Sequence, residues 1–211
     1  KINLNKKIQP IDLKEKKYDD VIVSTGVSAR SLDIPGFDEK IVISYIDAIK
    51  NLNKVGKKVV LIGAGGIGFD IAELLSHGEK SPSTNIDDFA EQWGIDFTNH
   101  PRGGVTGVTT KASKSDREIF LLQRKVTPLG IGLGKTTGWT HRLNLRKKEI
   151  KMLKGVTYKK IVKNGIYISI NDQDQFIECD NIIVCAGQEP DRSFFTAANK
   201  SGLRMHLIGG A

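Results

Sequence analysis

Three glycines, Gly63, Gly65 and Gly68, stand at the spacing G-x-G-x-x-G in the run Val59-Val60-Leu61-Ile62-Gly63-Ala64-Gly65-Gly66-Ile67-Gly68. Each has a separate physical task. Gly63 permits a tight turn, Gly65 has no Cβ to keep a pyrophosphate from the backbone, and Gly68 lets a helix pack closely on the strand before it. Val59 to Ile62 reads as a short buried strand, and Ile67, Ile71, Leu74 and Leu75 then recur at helical spacing. Strand before and helix after are the context this motif needs to mean dinucleotide binding. The free N–H groups and positive dipole end of the helix would face the phosphates. Gly63, Ala64, Gly65, Gly66, Ile67 and Gly68 are therefore expected to cradle a pyrophosphate.

A second group follows another apolar run. Glu118 to Gln123 reads as a buried strand, and it ends in Arg124-Lys125. Sites for NAD place an acid at such a strand end to accept from the ribose 2′-hydroxyl, whereas NADP sites offer Arg to the 2′-phosphate. Here there is no acid. Arg124 suits a planar phosphate clamp and Lys125 adds charge; the alternative is a solvated basic strand end. Arg124 lies well beyond the roughly 20 residues usual after the fingerprint. A polar insertion over residues 78–116, rich in Ser, Thr, Asn, Asp, Gly and Pro, accounts for the excess if it loops out.

The run Gly130-Ile131-Gly132-Leu133-Gly134-Lys135-Thr136-Thr137-Gly138-Trp139 invites comparison with an ATP phosphate loop. That pattern needs a glycine where Leu129 stands, so it fails. The run is expected to be a cofactor-facing or inter-domain loop, with Lys135, Thr136 and Thr137 reaching phosphates or an interface. His77, His100, His141 and His206 have no ligand spacing, and no metal is assigned. Asp70 and Glu73 read as acids of a helix's first turn, not as catalytic bases.

The positioning elements follow in order. Residues 1–17 are polar and lysine-rich, a strand and a turn at most. Asp19 to Gly26 is a strand ending in small residues, and 27–36 a loop. Ser44 to Asn53 is a helix with Ser44 as its cap. Within the insertion, Asp87 to Trp93 forms a short helix with Phe89 and Trp93 on one face. Thr140 to Lys148 is helical. Residues 150–178 form a third strand and a meander with a turn at Asn164-Gly165. The strands "VIVSTG" and "IIVCAG" share one form on either side of the fingerprint, which implies one domain interrupted by another. The expected fold is α/β: residues 1–46 and 179–211 form part of one domain, and residues 47–178 a Rossmann-like domain inserted in it.

The chain has 211 residues, 39% of them hydrophobic, and a formal charge of +8. The lysines are scattered and not interleaved with aromatics, so neither a nucleic acid nor a membrane is expected as partner; a positive surface would instead attract a phosphate-rich cofactor. No signal peptide pattern opens the sequence, and no apolar run approaches a membrane span. Two cysteines, Cys179 and Cys185, fit reduced thiols and a cytoplasmic setting.

The segments "IGAGGIGFDIAELL", "NIDDFAEQWGID", "LLQRK", "GLGKTTGWTHR", "CAGQEPDR" and "HLIGGA" together resemble the C-terminal region of the bacterial 2,4-dienoyl-CoA reductase family, NADPH-dependent iron–sulfur flavoenzymes of fatty-acid β-oxidation. The resemblance covers nearly the whole chain. It implies a two-dinucleotide-domain flavoprotein fold that binds NADPH and FAD. Thr25 and Gly26 would lie beside FAD, and Ala186, Gly187 and Gln188 near the nicotinamide–flavin contact. Gly209 and Gly210 would begin the last FAD motif. Arg30 follows Ala29 where the family more often has proline. The resemblance also implies a longer enzyme, of which this chain is the hydride-receiving end. Its N-terminal barrel would be the partner of this region, carrying FMN, the fatty acyl-CoA site and the cysteines of a 4Fe–4S cluster. Two cysteines cannot hold such a cluster. Two other readings stay open: another FAD/NAD(P)H reductase of the NADH oxidase type, and a nucleotide held structurally, as in trimethylamine dehydrogenase.

Overall fold

The computed structural model describes residues 1–16, 18–78, 81–98, 110, 114–199 and 202–210. In chain order they form α1 (Pro10–Glu15), β1 (Val21–Val23), β2 (Val27–Ala29), β3 (Val42–Ser44), α2 (Tyr45–Lys50), β4 (Lys58–Ile62), α3 (Gly66–Ser76), α4 (Ile86–Trp93), β5 (Glu118–Leu122), α5 (Gly138–Lys147), β6 (Lys151–Leu153), β7 (Val156–Val162), β8 (Gly165–Ile170), β9 (Gln173–Glu178), β10 (Asn181–Val184), β11 (Gln188–Pro190), α6 (Ser193–Ala198) and β12 (Met205–Leu207). These fall into two units, Ser31–Gly187 and the pair of segments Lys1–Arg30 and Gln188–Ala211. The α/β class expected from the sequence is the one the chain adopts. No helix among the described residues is long and apolar enough to cross a membrane.

The larger unit is built on a five-stranded sheet in the order β3-β10-β4-β5-β6, with every pair parallel. Val59, Val60, Leu61 and Ile62 of β4 are wholly buried. This explains why the strand reads as an unbroken apolar run: both faces of a parallel sheet are covered. Each such side chain contributes about 2 kcal/mol by leaving water. On one face, Val60, Ile62, Leu122 and Ile182 pack against Ile161, Ile166, Ile168 and Ile177 of the antiparallel meander β7-β8-β9. By the two-residue period of a strand, Val59 and Leu61 face the other way, where α3 buries Phe69, Ile71, Ala72 and Leu75.

The division between units falls outside β3 and β10, after Arg30 and before Gln188. The boundaries expected from the sequence are 46/47 and 178/179. The difference has a simple cause: Ile182, Ile183 and Val184 pair with Val42, Ile43 and Ser44 on one side and with Val60, Leu61 and Ile62 on the other. Both β3 and β10 thus belong to the larger sheet.

The insertion leaves the β4-α3-β5 crossover intact. Arg117, where the chain returns, donates from Nη1 to Leu75 O at 3.1 Å and from Nε to Gly56 O at 3.1 Å, closing the neck. Within it, α4 starts at Asn85, whose Oδ1 accepts from the Asp87 and Asp88 N–H groups. Phe89 and Trp93 share a face as expected, their ring centroids 6.2 Å apart. His100 and most of residues 99–113 lie outside the described residues.

In the smaller unit β1 pairs parallel with β12, and β2 antiparallel with β11. Asp20 binds both His206, at 2.9 Å, and Arg204, at 3.3 Å. The hydrogen bond from His206 is the main reason its carboxyl titrates below the usual range.

Three local expectations are corrected. The polar start contains α1, because Pro10 is preset for a first helical turn and Gln9 and Asp12 close a capping box around it. Val27–Ala29 is a strand, not a loop, since it finds Gln188–Pro190 as a partner. The meander's first turn is Lys163-Asn164, and Gly165 opens β8. A Cβ there would collide with the Ile177 carbonyl of β9.

Candidate nucleotide-binding site

Strand register assembles the site. Ile62 pairs with Leu122 on one side and with Val184 on the other, so the chain leaves three adjacent strands at one level. The Gly63 N–H donates to Leu122 O at 3.0 Å, and the Cys185 N–H to Ile62 O at 2.8 Å. A crevice outside the carboxyl ends of parallel strands, where the chain turns to opposite sides of the sheet, is where open α/β folds bind ligands.

A cleft of about 720 Å³ lies there. Gly63, Ala64, Gly65 and Gly66 line it from β4, Gln123, Arg124, Lys125 and Thr127 from β5, and Ala186 from β10. Gly63 has φ +113°, and a Cβ on it would stand 2.6 Å from Cys185 O. Gly65 and Gly66 are exposed, and a Cβ on either would meet open space. Gly65 caps α3, whose first turn holds no acid; its leading N–H groups are therefore free to receive an anion. These features fit a pyrophosphate.

Ile67 and Gly68 are not part of the lining. Gly68 is buried, and a Cβ there would collide with the Gly63 carbonyl; it serves the packing of α3 on the strand. Asp70 and Glu73 lie beyond the first turn of α3, correcting their assignment as first-turn acids. Glu73 instead ties α3 to α5, accepting from Asn144 Nδ2 at 2.8 Å and lying 3.1 Å from His141 Nδ1.

Arg124 and Lys125 are exposed side chains of the cleft. Asp33 is the single carboxylate of its described lining. Sequence reasoning missed Tyr158 and the Leu32–Ile34 loop, which reach the cleft from β7 and from the start of the unit. Burial pushes the Tyr158 phenol up to about 12, against the opposing field of Arg124, so it remains a neutral donor at physiological pH.

The glycine-rich run contributes its first half. Gly130, Ile131, Gly132 and Leu133 line the cleft. Gly130, at φ +71°, rests against Phe69 of α3, and Arg142 Nη1 donates to its carbonyl at 2.9 Å. Lys135, Thr136 and Thr137 are exposed and lie outside the lining.

In the smaller unit, Gly26 and Gly209 turn with φ +78° and +70° into open space. The Thr25 hydroxyl donates to Asp191 O. A Cβ on Gly210 would stand 2.6 Å from Val27 Cγ1. Gly187, at φ +104°, ends the larger unit, and Gln188 opens β11. No cluster of metal-ligating side chains occurs among the described residues. The two cysteines do not fit a 4Fe–4S cluster: both are buried, and burial pushes both thiols up to about 12.

The sequence profile of pyridine nucleotide-disulphide oxidoreductases matches residues 1–210, and the chain belongs to that family. It is 21% identical over 209 residues to a metal reductase of Desulforamulus reducens, covering 94% of this chain and 28% of that protein. In structure it is similar to a 2-naphthoyl-CoA reductase in complex with 2-naphthoyl-CoA, with a TM-score of 0.71, 24% identity and coverage of 98% of this chain and 26% of the other. It is also similar to histamine dehydrogenase from Rhizobium sp. 4-9, with a TM-score of 0.68, 12% identity and coverage of 97% and 29%. At these identities the structural likeness is one of fold. The chain spans little more than a quarter of the length of the metal reductase it matches.

Proposed function

We propose that the larger unit binds NADPH and presents it for hydride transfer to FAD. The observation that carries this reading is the pair Arg124 and Lys125 in the same cleft as the fingerprint, on a strand end without an acid. The backbone from Gly63 to Gly66 and the first turn of α3 would hold the pyrophosphate, and Arg124, with Lys125, the 2′-phosphate. NADPH, when bound, supplies the hydride. This chain's own residues bind and orient; no general acid or base is required of them. Ala186, Gly187 and Gln188 are proposed at the nicotinamide end. Thr25, Gly26, Gly209 and Gly210 are proposed to hold part of FAD. The one G-x-G-x-x-G of the sequence is taken up by the proposed NADPH site, so these four residues would account for part of FAD alone.

The finer reading is that the whole protein is a cytoplasmic reductase of unsaturated acyl-CoA thioesters, related to 2,4-dienoyl-CoA reductases. FMN, the iron–sulfur cluster and the thioester site would then belong to parts outside this chain. The sequence resemblance supports this, as does the fold shared with a reductase whose substrate is itself an acyl-CoA thioester.

The test is titration with NADPH and NADH, followed by the fluorescence of the reduced nicotinamide, for the wild type and Arg124→Ala. The expected result is an NADPH preference that Arg124→Ala reduces by about tenfold or more, the scale of one charge-assisted phosphate contact. Equal or absent binding of the two would overturn the reading.

A further inference from the structure

The turn that carries Arg124 and Lys125 is held from inside by one side chain. Gln123 Nε2 donates to Lys125 O at 2.9 Å and to Thr127 O at 2.8 Å. Both donors of its amide are thereby used. The main chain adds three further ties. The Gln123 N–H donates to Leu153 O at 2.9 Å, the Val156 N–H to Gln123 O at 3.0 Å, and the Gly155 N–H to Lys125 O at 3.0 Å. Lys125 O thus accepts twice, once from the amide and once from the neighbouring chain. Gln123, Arg124, Lys125 and Thr127 all line the cleft.

We infer that Gln123 is a positioning residue that sets the preference for a 2′-phosphorylated dinucleotide, acting through the turn it closes. This deepens the proposed function and rests on the reading of Arg124 as a phosphate ligand. The physical basis is preorganisation: a clamp already in shape spends less of its binding energy on ordering. The position itself sharpens the effect. Gln123 is the first residue past β5, where an NAD site would place an acid. Glutamate has the same shape as glutamine but no donor. It would set a carboxylate against two carbonyl oxygens and open the turn. It would also repel a 2′-phosphate while offering an acceptor to a free 2′-hydroxyl. Replacing the amide NH2 by an oxygen therefore acts against one ligand and in favour of the other.

The experiment is calorimetric titration of the full chain with 2′,5′-ADP and with 5′-AMP, for the wild type, Gln123→Met and Gln123→Glu, with thermal melts as a control of folding. The wild type is expected to prefer 2′,5′-ADP. Gln123→Met is expected to weaken 2′,5′-ADP about tenfold and leave 5′-AMP within about twofold; Gln123→Glu is expected to bring the ratio to one or below. A wild-type preference that both variants retain would overturn the role of Gln123 and leave the phosphate reading standing. Equal weakening of both ligands would also overturn it, since a merely structural residue acts that way. A wild type with no preference would remove the phosphate reading, and the inference with it.

Discussion

Gly63 lies so close to Cys185 that a Cβ on it would stand 2.6 Å from the cysteine carbonyl oxygen and 2.9 Å from the Ala186 Cα. The first fingerprint glycine is therefore a packing residue of the sheet as well as a turn residue. At φ +113° it is also in a region side chains avoid. Gly63→Ala is expected to cost on the order of 3 kcal/mol in stability.

Gly65 offers the contrast. Its backbone is extended and a Cβ there meets nothing, so Gly65→Ala is expected to change stability by no more than about 0.5 kcal/mol. The added methyl enters the cleft, and NADPH binding is expected to fall. Thermal melts and dinucleotide titrations on the two alanine variants check the pair. Equal melting temperatures would contradict the packing role of Gly63; unchanged binding in Gly65→Ala would contradict the placement of the pyrophosphate.

A buried cation beside α3 makes stability depend on pH. Lys148 is 2% exposed, with Nζ 3.1 Å from Ser76 Oγ and 3.2 Å from His77 Nδ1. Burial lowers the pKa of His77 below 6.5, and the Lys148 charge lowers it further. As pH falls through 6.5, the unfolded chain takes up this proton before the folded one does, so stability falls across the window beneath 6.5. His77→Asn is expected to flatten that acid limb in melts taken across pH. Lys148 has the same sign at the alkaline end: its folded pKa lies below 10.5, so stability rises as pH climbs through that window.

Lys148→Met separates the two groups. Methionine fills a similar volume without a buried charge, so the fold is expected to be retained. The pKa of His77, followed by NMR, is expected to move up toward 6.5. A value unchanged from the wild type would refute the coupling.

The two thiols are expected to be inert in the folded chain. Burial holds both near 12, with Asp180 and Glu178 adding to the effect at Cys179, and the reactive species is the thiolate. Iodoacetamide at neutral pH should label neither until denaturant is added. Mass spectrometry of the native and unfolded protein gives the result directly.

Much of the site was legible because its strands are buried on both faces. Val59 to Ile62 and Ile119 to Leu122 stand out as apolar runs, and the residues that follow each run enter the cleft through simple register. What escaped depends on contacts between distant segments. Val27–Ala29 is a strand only because Gln188–Pro190 lies beside it. Tyr158 reaches the cleft because the meander folds back on the sheet, and Leu32–Ile34 because a loop does. In the sequence Gln123 is simply a strand end lacking an acid; its hydrogen bonds to the following turn are a matter of side-chain direction that no pattern encodes. The start of α1 was readable in principle, since Pro10 and Asp12 are ordinary helix signals, but they sit in a stretch so polar that nothing announces a packed face.

The place of β10 in the sheet also bears on how the protein is made. The strand lies between β3 and β4, yet it leaves the ribosome after every other strand of that sheet. Until Asn181 to Val184 emerge, Val60 and Ile62 have only β5 beside them, and β3 has no partner among these strands. The nascent chain must hold an unpaired apolar strand edge through the synthesis of the meander. Closing the sheet is a late step with long loops to order, the kind that slows folding and exposes a chain to aggregation. The same step brings Cys185 and Ala186 up against Gly63, so the cleft at the strand ends is completed only when the sheet itself is closed.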